Sequence, residues 1–373
     1  MSNTQLISLG NITPEEFLRE YWQKKPLLVR NAFPGFNGLL SPIELQKLAC
    51  YEDAQSRLVI KQKNEWKLKH GPFRSSDFKK LSDKQWTLLV QEVNHFLPSA
   101  RDLLLQFRFI PHARLDDLMV SFAPQGGGVG PHFDSYDVFL LQGLGSRRWQ
   151  ISAQKDQQLI PEAPLRILKH FRPEQEWILH AGDMLYLPPH YAHNGIAEND
   201  CMTYSIGFRA PSHQELIEQF LIYLQDHTQI EGQYADPDLQ LQQHPSQISL
   251  SMQQQTRDIL KKIQWSENLV EDFLGCYLSE PKSHVFFDPP DKPITQHQFK
   301  KHLQKNGVTL SLKSRMLTEN NRIFMNGDSY TISDDAFQIL RNLADHHMLS
   351  APLLIDEEIE ALLYQWYIDG YLE

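Results

Sequence analysis

The order of apolar and polar residues changes texture twice along the chain. Near the N-terminus, Thr13-Pro14-Glu15-Glu16 and Ser41-Pro42-Ile43-Glu44 each set a capping hydroxyl, a proline at the first helical position and a glutamate three residues after the cap. These signals predict helices at intervals through the N-terminal region. From Leu118 to about Phe208 the pattern shortens to β-rich runs, LMVSFA (118–123), VFLLQ (138–142), RWQIS (148–152), MLYLP (184–188) and MTYSIGF (202–208), separated by Gly and Pro. In the last run Met202, Tyr204, Ile206 and Phe208 fall on one face, and Thr203, Ser205 and Gly207 on the other. Several short strands bounded by turns predict a sandwich or barrel. At Ser212-His213-Gln214-Glu215 a helical pattern returns, with Leu216, Ile217, Phe220, Leu221 and Leu224 on one stripe. A Gln-rich stretch then runs into RDILKKI and ENLVEDFLGCYLS, so that about three helices occupy 212–279. Three such helices cannot bury all their apolar faces alone, and they are expected to pack against a second copy of the chain.

PKSHVFFDPPDKP (281–293) carries four prolines and reads as a linker or edge segment. A helix (HQFKKHLQKN), a strand (VTLSL), a hairpin turning at Asn326-Gly327 and two final helices follow, and this order resembles a winged helix. The expected class is α+β: N-terminal helices and a β-rich core, a helical segment, and a winged-helix-like end.

Composition fits that picture. With 373 residues, 41% hydrophobic and 22% charged, the chain has room for one full core and a smaller unit, and disorder is excluded. Cys50, Cys201 and Cys276 are far apart and form no C-x-x-C pair, which argues against a disulfide framework or structural zinc. The opening MSNTQLISLGNITPEEF lacks the basic start and apolar stretch of a leader, and no apolar run is long enough to span a membrane, so a soluble cytoplasmic protein is expected. Of the net charge of −10, residues 1–209 contribute 24 basic against 22 acidic side chains and the remainder 12 against 24. An acidic C-terminal half favours a basic partner. From 291 onward there are 8 basic and 12 acidic residues, so the footprint of a duplex binder is missing and direct nucleic-acid binding is not expected.

The chemistry concentrates in GGGVGPHFDSYDVFLLQGLGSRRW (126–149). His132 and Asp134 are two residues apart, which on a strand projects both from one face. A second histidine would complete the two-His, one-carboxylate triad of non-haem Fe(II) oxygenases, and His193 in GDMLYLPPHYAHNG qualifies if its strand runs antiparallel beside the first. The glycines ahead of His132 admit a tight backbone approach; with no Gly-Lys-Ser/Thr after them they are not a phosphate loop. Arg147 follows on the next strand, and a 2-oxoglutarate oxygenase needs a cation deep in the barrel to hold the distal carboxylate. Arg148 competes with it, since only one of two adjacent strand residues points inward. His190 stands as an alternative ligand if the strand begins later. Asp137 is offset from His132 by an odd number and falls on the opposite face, His180 with Asp183 reads as a turn, and His346-His347 ends a helix where a cation suits the dipole.

Together with YLPPHYAH, the YSIGFRAP strand end and the N-terminal YWQKKPLLVRNAF, that run resembles the bacterial JmjC-type hydroxylases of the ribosomal oxygenase family, over nearly the whole chain. The resemblance implies a double-stranded β-helix (a JmjC, cupin-like jelly roll) within a catalytic domain 1–209, its core strands from about 85, a helical dimerisation segment 210–280 forming a homodimer, and a winged-helix-like domain 281–373. It implies Fe(II), 2-oxoglutarate and O2, and hydroxylation of an arginine β-carbon in the large-subunit ribosomal protein uL16. Residue by residue it places His132, Asp134 and His193 as metal ligands. Arg147 becomes the cosubstrate partner in preference to Arg148, with Ser121 beside it, and Asp117, Met119, Tyr136 and Ser205 line the substrate side. Histidine hydroxylation or lysine demethylation by the same machinery, and a non-catalytic cupin that acts as an interaction module, are the alternatives.

Overall fold

A computed structural model describes residues 7–62, 65–353 and 355–373; Met1–Leu6, the start of the stretch inspected for a leader, lie outside them. In chain order the N-terminal part comprises α1 (Pro14–Glu20), β1 (Leu27–Val29), α2 (Pro42–Leu48), β2 (Ser56–Gln62), β3 (Glu65–His70), α3 (Ser75–Phe78), β4 (Trp86–Val90) and α4 (Pro98–Leu104). The β-rich middle comprises β5 (Leu115–Ala123), β6 (Val138–Gln142), β7 (Ser146–Ser152), β8 (Gln175–His180), β9 (Met184–Leu187), β10 (Ala192–Ala197) and β11 (Cys201–Phe208). Then follow α5 (His213–His227), α6 (Leu250–Leu260), α7 (Glu267–Ser279), α8 (Gln296–Asn306), β12 (Val308–Thr309), β13 (Met316–Glu319), β14 (Arg322–Met325), β15 (Asp328–Thr331), α9 (Asp334–His346), β16 (Met348–Leu349) and α10 (Glu357–Ile368). Among the described residues no helix is long and apolar enough to cross a membrane.

The chain divides into two compact units, one of 1–210, 282–314 and 345–373, the other of 211–281 and 315–344. In the first, an antiparallel eight-stranded sheet runs β1-β9-β6-β11-β5-β4-β2-β3, and a three-stranded sheet runs β10-β7-β8. The N-terminal region therefore holds more than the helices its caps announce: β1 and the β2–β4 group extend the large sheet at both ends. The capping hydroxyls act as read, with Thr13 accepting from the Glu16 amide and Ser41 forming a reciprocal box with Glu44. A cap of this kind contributes about 1 kcal/mol to a helix only two turns long.

The alternation along β11 separates two cores. Met202, Tyr204, Ile206 and Phe208 join Phe17, Leu45, Val120 and Phe139 under the N-terminal helices. On the opposite face of the large sheet, Val138, Leu140, Leu185 and Leu187 pack on Trp149, Ile151 and Leu179 of the small one. Thr203, Ser205 and Gly207 belong to that inner face, so the polar row of β11 does not meet water; every residue of the strand is buried. Burying hydroxyls inside a β-cage costs stability unless they meet partners, which makes such a row a mark of a site.

The second unit holds α5, α6, α7, α9 and the sheet β13-β14-β15. Its hairpin turns at Asn326-Gly327, where φ values of 53° and 99° suit that pair. Ser212-His213-Gln214-Glu215 has the sequence of a capping box, and half of it forms: Ser212 accepts from the Glu215 amide, while the Glu215 carboxylate accepts from Tyr277 Oη at 2.6 Å. Ile217, Leu221 and Ile222 on α5 stay 55–57% exposed.

Candidate metal centre

Local backbone, more than regular secondary structure, brings the expected ligands together. His132 and Asp134 do not lie on a strand, as their spacing suggested; the turn after β5 carries them in an extended stretch with a single bridge, His132 to His193. Reciprocal backbone bonds tie the two, the His132 N–H donating to the His193 carbonyl at 2.9 Å and the His193 N–H to the His132 carbonyl at 2.7 Å. The antiparallel approach expected of the His193 segment is present, reduced to one pair. Gly128 permits it, since a Cβ there would stand 2.4 Å from the Gly195 carbonyl oxygen.

One donor atom from each of His132, Asp134 and His193 lies within 4.8 Å of the others, the one such group among the described residues. His193 Nε2 is 3.6 Å from Asp134 Oδ2. Each imidazole has its Nδ1 at 2.9 Å from a carbonyl oxygen, of Gly130 for His132 and of Tyr191 for His193. A carbonyl only accepts, so both Nδ1 atoms carry the proton and both Nε2 lone pairs are free for a metal, the backbone bonds fixing each ring's orientation as ligating histidines require. Burial, followed by the neighbouring His132, pushes His193 down to about 4, which keeps it neutral at pH 7 as a ligand must be. His190 is outside the group: it has φ +64°, its amide donates to the Asp134 carbonyl, and its ring neighbours Phe133.

Of the two adjacent arginines, Arg147 turns inward and Arg148 outward. Arg148 pairs with Glu176 and Glu198 at 2.6 and 2.7 Å. Arg147 is 5% exposed, and Nη1 reaches Ser121 Oγ at 3.4 Å, while Nε and Nη2 are buried without a partner. A buried guanidinium with two idle donors is costly in isolation and suited to a carboxylate. The donor set thus fits a divalent metal, and Arg147 fits an anionic cosubstrate.

Trp149, on the same face of β7, was not singled out by the sequence. Its ring lies 5.9 Å from that of His193 and 5.7 Å from the Arg147 guanidinium, joining the two parts of the site. The space comes from Gly195, where a Cβ would meet the indole at 2.7 Å.

Asp117, Met119 and Ser121 alternate along the inner face of β5, opposite β11, where Ser205 is in register with Met119 and Thr203 with Ser121. Asp117 and Ser205 are each 7% exposed, and Tyr136, at 39%, is the most open of the set. Packing around Tyr136, then the charges of Asp134 and Asp117, raises its phenol above the usual range. Arg57 on β2 is a further cation that the sequence did not flag, its Nη2 4.0 Å from Met119 Sδ. Asp137 sits elsewhere, fully buried, accepting from Tyr186 Oη at 2.6 Å and Gln23 Nε2 at 2.9 Å.

The JmjC domain family matches residues 102–216 and a ROXA-like winged helix matches 260–373. The chain is 35% identical over 84% of its length to the ribosomal protein uL16 3-hydroxylase of Escherichia coli, covering 84% of that protein. It is 35% identical over 93% of its length to a probable ribosomal oxygenase of Haemophilus influenzae, covering 89% of it. A ribosomal oxygenase from Escherichia coli, solved in complex with cobalt and 2-oxoglutarate, superposes with a TM-score of 0.84 at 32% identity, covering 99% of both chains.

Proposed function

The chain belongs to the ribosomal oxygenase family, and from that membership we propose that it is an Fe(II)- and 2-oxoglutarate-dependent hydroxylase of ribosomal protein uL16, acting on the β-carbon of an arginine side chain. The observation that carries the reading is the conjunction of His132, Asp134 and His193 with the buried, half-unpartnered Arg147 in one β-cage. In this reading His132 Nε2, the Asp134 carboxylate and His193 Nε2 hold the iron. When bound there with 2-oxoglutarate, the metal supplies oxygen activation coupled to decarboxylation. Arg147, assisted by Ser121, fixes the distal carboxylate of the cosubstrate. The apolar walls around Trp149 and Leu185 exclude water from the reaction. Asp117 pairs with the substrate guanidinium while Met119, Tyr136 and Ser205 position it, and a carboxylate there favours a cationic side chain over histidine.

The test is mass analysis of uL16 after incubation with the enzyme, iron, 2-oxoglutarate and air. The expected product gains the mass of one oxygen atom, located on an arginine by fragmentation. An unchanged protein, with no 2-oxoglutarate consumed, would overturn the reading.

The proposal extends to assembly and place. We read 1–209 as the catalytic domain, 210–280 as a dimerisation segment and 281–373 as a winged-helix-like domain that does not bind nucleic acid, in a cytoplasmic homodimer. The exposed α5 row of Ile217, Leu221 and Ile222 supports the dimer. Ile217→Asp combined with Leu221→Asp is expected to halve the mass measured by light scattering; an unchanged mass counts against this interface.

A further inference from the structure

The proline-rich segment 281–293 contains no helix or strand, yet its first residues are firmly held. Lys282 Nζ lies 3.0 Å from Glu92 Oε1 and 3.0 Å from Asp116 Oδ1, and His284 Nε2 lies 2.6 Å from Glu92 Oε2. Glu92 is 4% exposed and adopts φ +54°, a left-handed backbone that costs a non-glycine residue about 1 kcal/mol or more. That conformation directs the Glu92 N–H to Asp117 Oδ2 at 3.0 Å. Three carboxylates, Glu92, Asp116 and Asp117, therefore crowd one corner at the start of β5. Like charges so placed repel strongly unless a cation intervenes. The cation supplied is a lysine from beyond the helical segment, about 190 residues after Glu92 along the chain.

We propose that Lys282 is a positioning residue for substrate recognition: by bridging Glu92 and Asp116 it holds the Asp117 carboxylate in place as an anion on the inner face of β5, ready for a cationic side chain. The inference rests on the reading of Asp117 given above and adds a segment outside the β-cage to the recognition apparatus. Charged and titratable groups around Asp117 include Asp116 on its own strand, Glu92 from the turn before α4 and Lys282 from 281–293; Tyr136 approaches from the loop before β6 with Arg57 of β2 near it, and β11 presents Gly207, where a Cβ would lie 3.4 Å from Asp117 Oδ1. His284 and His95 act on Glu92. Burial, then Asp116, raises Asp117 to about 6, and Lys282 opposes them. A guanidinium is bound by the ionised acid, so substrate affinity should rise with pH through about 6. Removing the cation moves that limb to higher pH, and removing Asp116 moves it lower.

The experiment uses the full-length, iron-loaded enzyme with uL16 as substrate, following kcat and both KM values against pH. Lys282→Met is expected to shift the acidic limb up by about one pH unit, and so to raise the uL16 KM about twofold at pH 7 and about tenfold near pH 5, leaving the 2-oxoglutarate KM unchanged. Lys282→Arg should restore both values, and Asp116→Asn should shift the limb down. Lys282→Gln keeps much of the stem and a donor while removing the charge, so it reads the same shift if the methionine variant is unstable. Independently of turnover, the carboxyl 13C resonance of Asp117 in the full chain should titrate at higher pH in Lys282→Met and Lys282→Gln. If Asp117→Asn leaves the uL16 KM and the limb untouched, the reading of Asp117 itself falls. If that variant abolishes the limb while Lys282→Met and Lys282→Gln leave the limb and the 13C titration in place, the role of Lys282 alone is overturned.

Discussion

Replacing His132 with alanine is expected to abolish succinate formation from 2-oxoglutarate while leaving the fold intact. The variant removes one of three converging donors, and its loss should exceed the roughly 10–100-fold that follows from damaging only an outer-shell partner of a metal ligand. The folded state should survive because the links between the 132 and 193 segments run through backbone atoms that the substitution keeps. Circular dichroism and thermal melting of the metal-free chain should therefore match the parent, while 2-oxoglutarate turnover and iron binding disappear. Undiminished turnover would reject the ligand assignment.

Arg147→Met should likewise separate stability from activity. Losing a buried guanidinium–carboxylate contact costs about 2–5 kcal/mol, so the KM for 2-oxoglutarate should rise by about 30-fold to several thousandfold. The protein itself, however, offers Nε and Nη2 of this arginine no partner among the described residues, and an apolar side chain of similar length relieves that cost. The melting temperature of the ligand-free variant should hold or rise, and a marked fall would mean that the guanidinium is paired in the free enzyme. Arg148→Met serves as the control: its two glutamate pairs are partly exposed, with 34% of the arginine side chain open, and such pairs contribute little.

Much of this was legible in the sequence, for reasons that differ by element. Five of the strands between Leu118 and Phe208 announce themselves because their apolar runs are short and bounded by Gly and Pro, whereas β8, QEWILH, opens on polar residues and gives no such signal. β2 and β3 do not, since IKQKNEWKLKH is dense with charge and β3 is mostly exposed at the sheet edge. The spacing of His132 and Asp134 suggested a shared face, yet the face comes from an extended turn with one bridge, because ligand convergence needs only local backbone direction. Arg147 and Arg148 are indistinguishable as letters; Glu176 and Glu198, distant in sequence, occupy the second and leave the first inward. Nothing in the sequence marks Trp149, because the space for its ring comes from Gly195, distant in sequence and in register with it. Lys282 was hidden by its prolines, which mark a linker whether or not the segment is anchored.

The mutual amide bonds of His132 and His193 bear on how the centre is loaded. In zinc fingers the ion organises the polypeptide, and stripping it dissolves the fold. Here two main-chain hydrogen bonds, which need no ion, hold the two histidine segments side by side. Departure of the metal then becomes a matter of occupancy, and a chelated sample should be rechargeable without having to fold anew.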